Sequence, residues 1–239
     1  MVRINKYLSL CGVTSRRGAD DLVLQGRVTV NDIVVEKPGS RVDEEDDVVK
    51  VDGAEVRPVR GKVYILLYKP RRVLTTLDDP GGRATVRDLL KSLTVRVYPV
   101  GRLDYDTEGV LLLTNDGDLA HRLSHPRYQV TKVYEAVVGG DFTRENAARI
   151  EGGIKLEDGA VGRASVRIVA SEKRTTRIHL TLTEGRKREV KQLCQAVGGP
   201  VRRLRRLQFA GITTHGLKVG GWRRLSAAEV DHLKSLVGL

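Results

Sequence analysis

Apolar positions along this chain follow helical spacing in some stretches and strand alternation in others, and the change of period marks its elements. Ile4, Leu8 and Cys11 fall at i, i+4 and i+7, the stripe of a short helix that Gly12 can stop in a left-handed conformation. A second helix begins near Ser15, a good capping type, buries Ala19, Leu22 and Val23, and ends at Gly26. Val28 and Val30 then alternate with polar neighbours, and Asn31-Asp32 turns the chain into a strand from Ile33 to Val35. Arg57-Pro58-Val59-Arg60-Gly61-Lys62 has no apolar period and reads as a linker, which divides the chain into domains at 1–60 and 61–239.

In the larger part, Val63 to Tyr68, Val97 to Val100 and Gly109 to Thr114 are strand-sized apolar runs. From Thr131 to Val138 the alternation places Tyr134, Ala136 and Val138 on one face and Val133, Glu135 and Val137 on the other. Asn115-Asp116-Gly117 is a turn before a short helix from Asp118 to Ser124. Val190, Leu193, Cys194 and Val197 share one helical face, with Lys187 and Lys191 on a neighbouring one. Ser226 and Glu229 form a capping box for a last helix. Strands and helices intermix without strict βαβ alternation, so the expected class is α+β around a mixed, largely antiparallel sheet.

Charge separates the two parts further. The 239 residues carry a net charge of +12. Residues 1–60 hold 10 basic and 11 acidic side chains, among them the run Asp43-Glu44-Glu45-Asp46-Asp47, so the excess lies beyond residue 60. Such a surplus favours a polyanion, nucleic acid before membrane, because no long amphipathic helix is present to lie on lipid. No apolar stretch approaches the roughly 18 residues of a membrane span, and the amino terminus lacks a signal-peptide pattern, so a cytoplasmic protein without a membrane partner is expected. Cys11 and Cys194 lie far apart at apolar helix positions and read as reduced, buried thiols.

The candidate chemistry centres on Gly101-Arg102-Leu103-Asp104, a glycine-opened loop between two strand-like segments. An isolated aspartate there is ordinarily a turn or capping residue. His121 and His125 sit four apart, a spacing that metal sites use, but no further ligand completes a set, so they read as surface or RNA-facing and no metal is expected. Lys69 precedes Pro70 at the end of the strand-like run from Val63 and is assigned no catalytic part.

The segment GRLDYDTEGVLLLTNDGDLAHRL, residues 101–123, resembles the catalytic motif of the bacterial ribosomal-RNA pseudouridine synthases of the RsuA/RluB family. Lys132-Val133-Tyr134, the run Glu184 to Gly198 and the closing Gly220-Gly221-Trp222-Arg223-Arg224-Leu225 extend the likeness. The resemblance implies Asp104 as the catalytic carboxylate, Lys191 as its ion-pair partner, Tyr134 as the residue against the target base and Arg102 as a side chain that displaces or replaces the flipped nucleotide. It also implies Val190 and Leu103 as pocket walls, with Arg186, Lys187 and Arg188 on RNA. Where this chain has Glu189 the family has glutamine, and after the lysine-proline pair matched by Lys69-Pro70 it has glycine where Arg72 stands; an arginine cannot take up glycine's positive φ cheaply, so the loop is expected to differ locally. The reaction implied converts a uridine of ribosomal RNA, 23S by closeness of pattern, to pseudouridine without a cofactor, in keeping with a sequence that has no P-loop or dinucleotide fingerprint. Eight basic residues between Arg186 and Arg206 suggest a track for an RNA backbone.

Residues 1–60 resemble an S4 domain, a small RNA-binding module, through RINKYL, TSRRGADDLVLQGRVTVND and VVKVDG. That likeness would place Arg3, Asn5, Lys6, Ser15, Arg16, Arg17, Gln25, Arg27 and Asn31 against RNA. Guanidinium forks and helix N-termini suit phosphate oxygens, so the module would add affinity rather than target choice. A monomer acting on ribosomal RNA is the expectation. The alternatives are a non-catalytic S4-type protein of RNA binding or ribosome assembly, and the same reaction on 16S RNA or transfer RNA.

Overall fold

The computed structural model describes Met1–Leu239, and the chain divides into two compact units, Met1–Lys62 and Val63–Leu239. In the first, helix Ile4–Leu10 is followed by helix Arg16–Leu24, which Ser15 caps by accepting the Gly18 N–H. Four strands pair in the order Ile33–Val34, Val28–Val30, Val49–Val51, Ala54–Glu55, and Val2–Arg3 pairs with Arg41–Val42. Ile4, Leu8, Ala19, Val23, Val28 and Val49 form its core, so the stripes read from spacing are the ones buried. Asn31 and Asp32 make the expected turn, both at positive φ. Cys11 is half-buried rather than buried, and both cysteines are free.

The second unit is an α+β structure on one mixed sheet. Its strands run in the order Ser165–Glu172, Thr175–Leu182, Lys132–Gly139, Val201–Phe209, Thr107–Thr114, Tyr64–Lys69, Trp222–Arg224. Two short strands, Ile212–Thr213 and Tyr98–Pro99, lean on Val201–Phe209 and Thr107–Thr114 respectively. Every pairing is antiparallel except that of Val201–Phe209 with Thr107–Thr114. Thr107–Thr114 is buried along its whole length, because apolar clusters cover it from both sides. One contains Val110, Leu112, Phe209 and helix Gly117–Ser124; the other contains Leu111, Leu113, Leu103 and, partly buried, Trp222. A continuous apolar run, as opposed to an alternating one, is the signature of such a two-sided strand.

Where the parallel pair meets, Gly109 stands opposite Arg206 at φ 119°, and a Cβ there would lie 2.1 Å from the Arg206 carbonyl oxygen. Only glycine permits that approach. Helix Ala227–Leu236 is closed by the Ser226–Glu229 capping box, and Glu229 also receives two hydrogen bonds from Arg223. The Arg223 guanidinium holds the Glu229 carboxyl down at about 2. A carboxylate depressed in the folded state adds stability above its unfolded value near 4.5, lost as pH falls toward 2. Glu229→Gln is therefore expected to cost about 1 kcal/mol at pH 7 and much less near pH 2. Thermal melts at the two pH values test this, and an equal loss at both would contradict it.

Candidate active site

Asp104 lies in the loop between Tyr98–Pro99 and Thr107–Thr114, and the loop is tied down from one neighbouring segment. Lys69, at the end of Tyr64–Lys69, is fully buried, and its Nζ donates to the carbonyls of Pro70, Asp104 and Thr107 at 3.0, 3.2 and 3.0 Å. Arg71 Nε donates to the Asp106 carbonyl and the Arg72 N–H to that of Tyr105. Thr75 Oγ1 donates to the Leu103 carbonyl and accepts the Leu103 N–H. Arg72 adopts φ 60°, so the arginine does take the left-handed geometry expected to exclude it, with its N–H bonded in the process. Burial pushes the Lys69 ammonium down to about 8, opposed by the carboxylates of Asp106 and Asp104. The three carbonyls it touches also favour the charged form.

Helix Glu189–Ala196 brings Lys191 to this loop. Its Nζ lies 3.2 Å from Asp104 Oδ2 and also donates to Asp106 Oδ1, so one ammonium bridges two carboxylates. Burial works against ionising Asp106, and Lys191 overrides it, holding that carboxyl below the usual range. The helix begins later than its apolar face suggests: Arg188, at φ 52°, is its cap residue, and Lys187 lies before it. Lys187 therefore shares no helical face with Lys191.

A cavity of about 110 Å³ opens beside Asp104, lined among others by Arg102, Leu103, Tyr134, Val190 and Arg206. Leu103 and Val190 are buried walls, and Tyr134 is half-buried on its strand, directly opposite Arg206. Arg102 is exposed and pairs with no carboxylate. Asp104 and Arg102 from one loop and Tyr134 from a separate strand thus surround one space, with Lys191 bonded to the carboxylate. Chemically, that is an anion held by an amine beside a phenol ring in a partly dry pocket.

Several site residues escaped the sequence reading. Arg206 is 2 % exposed; its Nε donates to the Val110 carbonyl, its guanidinium sits 4.9 Å from the Phe209 ring, and its Nη2 has no partner. It is one of the eight basic residues expected to form an RNA track, yet it lies two residues beyond buried Leu204 and so on the inward face of the strand, a signal that alternation alone supplies. The track itself is corrected: Arg203 pairs with Glu108 and Arg205 with Glu135 on the opposite face, leaving Arg202 exposed without a carboxylate. Arg186 is likewise engaged, with Asp158 and Glu184, while Lys187 and Arg188 are exposed without such partners. Glu189 lines the cavity, 4 % exposed and pushed up by burial, and accepts the Arg186 N–H. Lys132, also at the cavity, is pushed down to about 8 by burial and by Arg206.

In the first unit, Arg3, Lys6, Arg16 and Arg17 are exposed and form no ion pair with a carboxylate. Ser15 and Gln25 are exposed, with Ser15 serving the helix cap and Gln25 accepting from Arg27. Arg27 is held by Asp52 through two hydrogen bonds. Asn31 binds the Val48 N–H and Asp47. Asn5 is a correction: 8 % exposed, its amide donates to Asp20 and accepts from Arg16, so it braces the two helices instead of facing outward.

Residues 63–196 match the family model described as RNA pseudouridylate synthase, and residues 2–48 match the S4 domain. Over 239 residues the chain is 48% identical to a protein of Aquifex aeolicus (strain VF5) named as an RNA pseudouridine synthase, covering 100% of this chain and 96% of that one. It is 41% identical to the ribosomal large subunit pseudouridine synthase B of Bacillus subtilis (strain 168), covering 99% and 97%. A crystal structure of a pseudouridylate synthase superposes with a TM-score of 0.71 at 25% identity, covering 98% of this chain and all of that one. The chain belongs to the RNA pseudouridine synthases, isomerases of RNA, and carries an S4 domain at its amino end. No helix is long and apolar enough to cross a membrane.

Proposed function

We propose that this enzyme converts a uridine of ribosomal RNA, in the large subunit, to pseudouridine with Asp104 as the catalytic carboxylate. The observation that carries the assignment is the ion pair of Lys191 with Asp104, a carboxylate that lines one cavity together with Tyr134. The reaction breaks the bond from C1′ to N1, turns the uracil, and joins C1′ to C5, with no change of oxidation state. Whether the carboxylate attacks the sugar, attacks the base or removes a sugar proton, it acts as an anion, and the Lys191 ammonium lies 3.2 Å from it as a counter-charge. Tyr134 offers a ring face to a base taken out of its helix, and Arg102, free of carboxylates, is placed to fill the space the nucleotide leaves.

Large-subunit RNA is favoured because the Bacillus subtilis relative, matched end to end, is named for it. We assign residues 1–60 to RNA affinity and 61–239 to catalysis, with Arg3, Lys6, Arg16 and Arg17 as the phosphate-facing set of the first part. A cytoplasmic location suits that substrate. The test is pseudouridine mapping on ribosomal RNA from cells with and without this protein, together with reaction of the purified protein on unmodified large- and small-subunit RNA. One new site in large-subunit RNA is expected; product only in small-subunit or transfer RNA would overturn the target, and unchanged profiles would overturn the activity.

A further inference from the structure

Helix Gly117–Ser124 and the turn Pro126–Tyr128 that follows it carry a group of side chains the reaction does not use. The rings of His121 and His125 are 5.3 Å apart, and His125 meets Tyr128 edge-on at 6.5 Å. Arg127 and Arg122 lie over the Tyr128 ring at 5.0 and 5.9 Å. His121, His125 and Arg127 are exposed, and Tyr128 is half-buried against the core. No hydrogen bond or ion pair engages the His121 ring, and neither arginine has a carboxylate partner; Arg122 donates to the carbonyls of Val237 and Gly238. Asp118, one turn before His121, pairs with none of them.

This surface is continuous with the active site. Ser124, one residue before His125 and one turn after His121, lines the same cavity as Asp104 and Arg102. Ring faces beside unneutralised guanidiniums suit a strand that offers bases and phosphates together, and do not suit an apolar peptide or an anionic ligand without rings. A metal reading fails because the two imidazoles have no third ligand, and His125 Nδ1 already accepts the Arg127 N–H.

We propose that the exposed rings of His121 and His125 form a stacking platform for an unpaired nucleotide next to the target uridine, with Arg127, held over the Tyr128 ring, on its phosphate. The inference rests on the uridine-isomerising reading of the cavity. Holding the neighbour would fix the strand on which the target is splayed out, so the platform contributes to RNA binding and to choice of sequence context, not to the chemical step.

The test uses the full-length protein and a synthetic RNA stem-loop spanning the mapped uridine, in which each nucleotide flanking the target is replaced in turn by an abasic one. Wild type should show a KM raised about tenfold at one flanking position, with kcat within about twofold. In His121→Ala/His125→Asn the intact RNA should show that same rise and the abasic replacement no further one; asparagine keeps an acceptor for the Arg127 N–H. Arg127→Gln, measured separately, should reduce the salt slope of binding by about one. If no flanking position is coupled to the double variant, or if the variant lowers kcat and leaves KM alone, the platform is refuted. An inactive wild type on every uridine-containing RNA would instead refute the reading of the cavity on which it rests.

Discussion

Asp104→Asn is expected to lower turnover by at least about 10⁴-fold while leaving RNA affinity within about threefold. The substitution keeps the shape of the side chain and so keeps the loop, whose anchoring uses the backbone carbonyls of Leu103, Asp104, Tyr105 and Asp106 rather than the Asp104 carboxylate. What it removes is the negative charge. Lys191 would remain bound to Asp106, so the ammonium is not stranded and the fold should not suffer. Single-turnover assays on reactive RNA and filter binding on the same RNA separate the two quantities. A variant turning over within tenfold of wild type would move the catalytic carboxylate elsewhere, and Asp106, the other carboxylate on Lys191, would be the first to examine.

Lys69→Met should damage both stability and rate, although Lys69 touches no substrate. Methionine fills nearly the same volume, but the carbonyls of Pro70, Asp104 and Thr107 lose their donor in the interior. Each orphaned acceptor costs about 1–3 kcal/mol, partly offset because a buried ammonium no longer has to be desolvated, for a net loss of about 2–4 kcal/mol. In a unit of this size that lowers Tm by roughly 5–15 °C. The released loop should reduce kcat by about 10²-fold, since misplacing a reacting group by an ångström has effects of that order. The wild-type enzyme should also lose activity as pH rises above about 8, where the neutral amine can no longer serve three carbonyls. That alkaline limb should be absent from the residual activity of the variant. A variant of unchanged Tm and kcat would show that Lys69 is a tolerated burial and no clamp.

The local elements were legible because their causes are local. Helical stripes at Ile4 and Leu8, the Ser15 cap and the Ser226–Glu229 box were all present in spacing and residue type. The family motifs pointed to Asp104, Tyr134, Lys191 and Arg102; Asp104, Tyr134 and Arg102 line one cavity, and Lys191 pairs with Asp104. Charge was the poor guide. An arginine counts as +1 wherever it stands, so Arg203, Arg205 and Arg206 looked like an RNA track until pairing across the sheet gave the first two carboxylates and buried the third. The clamping part of Lys69 was equally illegible, because a buried lysine and a surface lysine are identical in sequence.

By itself, then, the order of residues determined the α+β class, the placing of helices and turns, and which side chains gather at the cavity, since these depend on periodicity, capping and motif over a few positions. Only the tertiary structure decided which charges are available to a ligand and which hold the protein together. That distinction depends on the partner across the sheet and on exclusion of water, and Arg203, Arg205 and Arg206 meet Glu108, Glu135 and Val110 from 70 to 96 residues away in the chain.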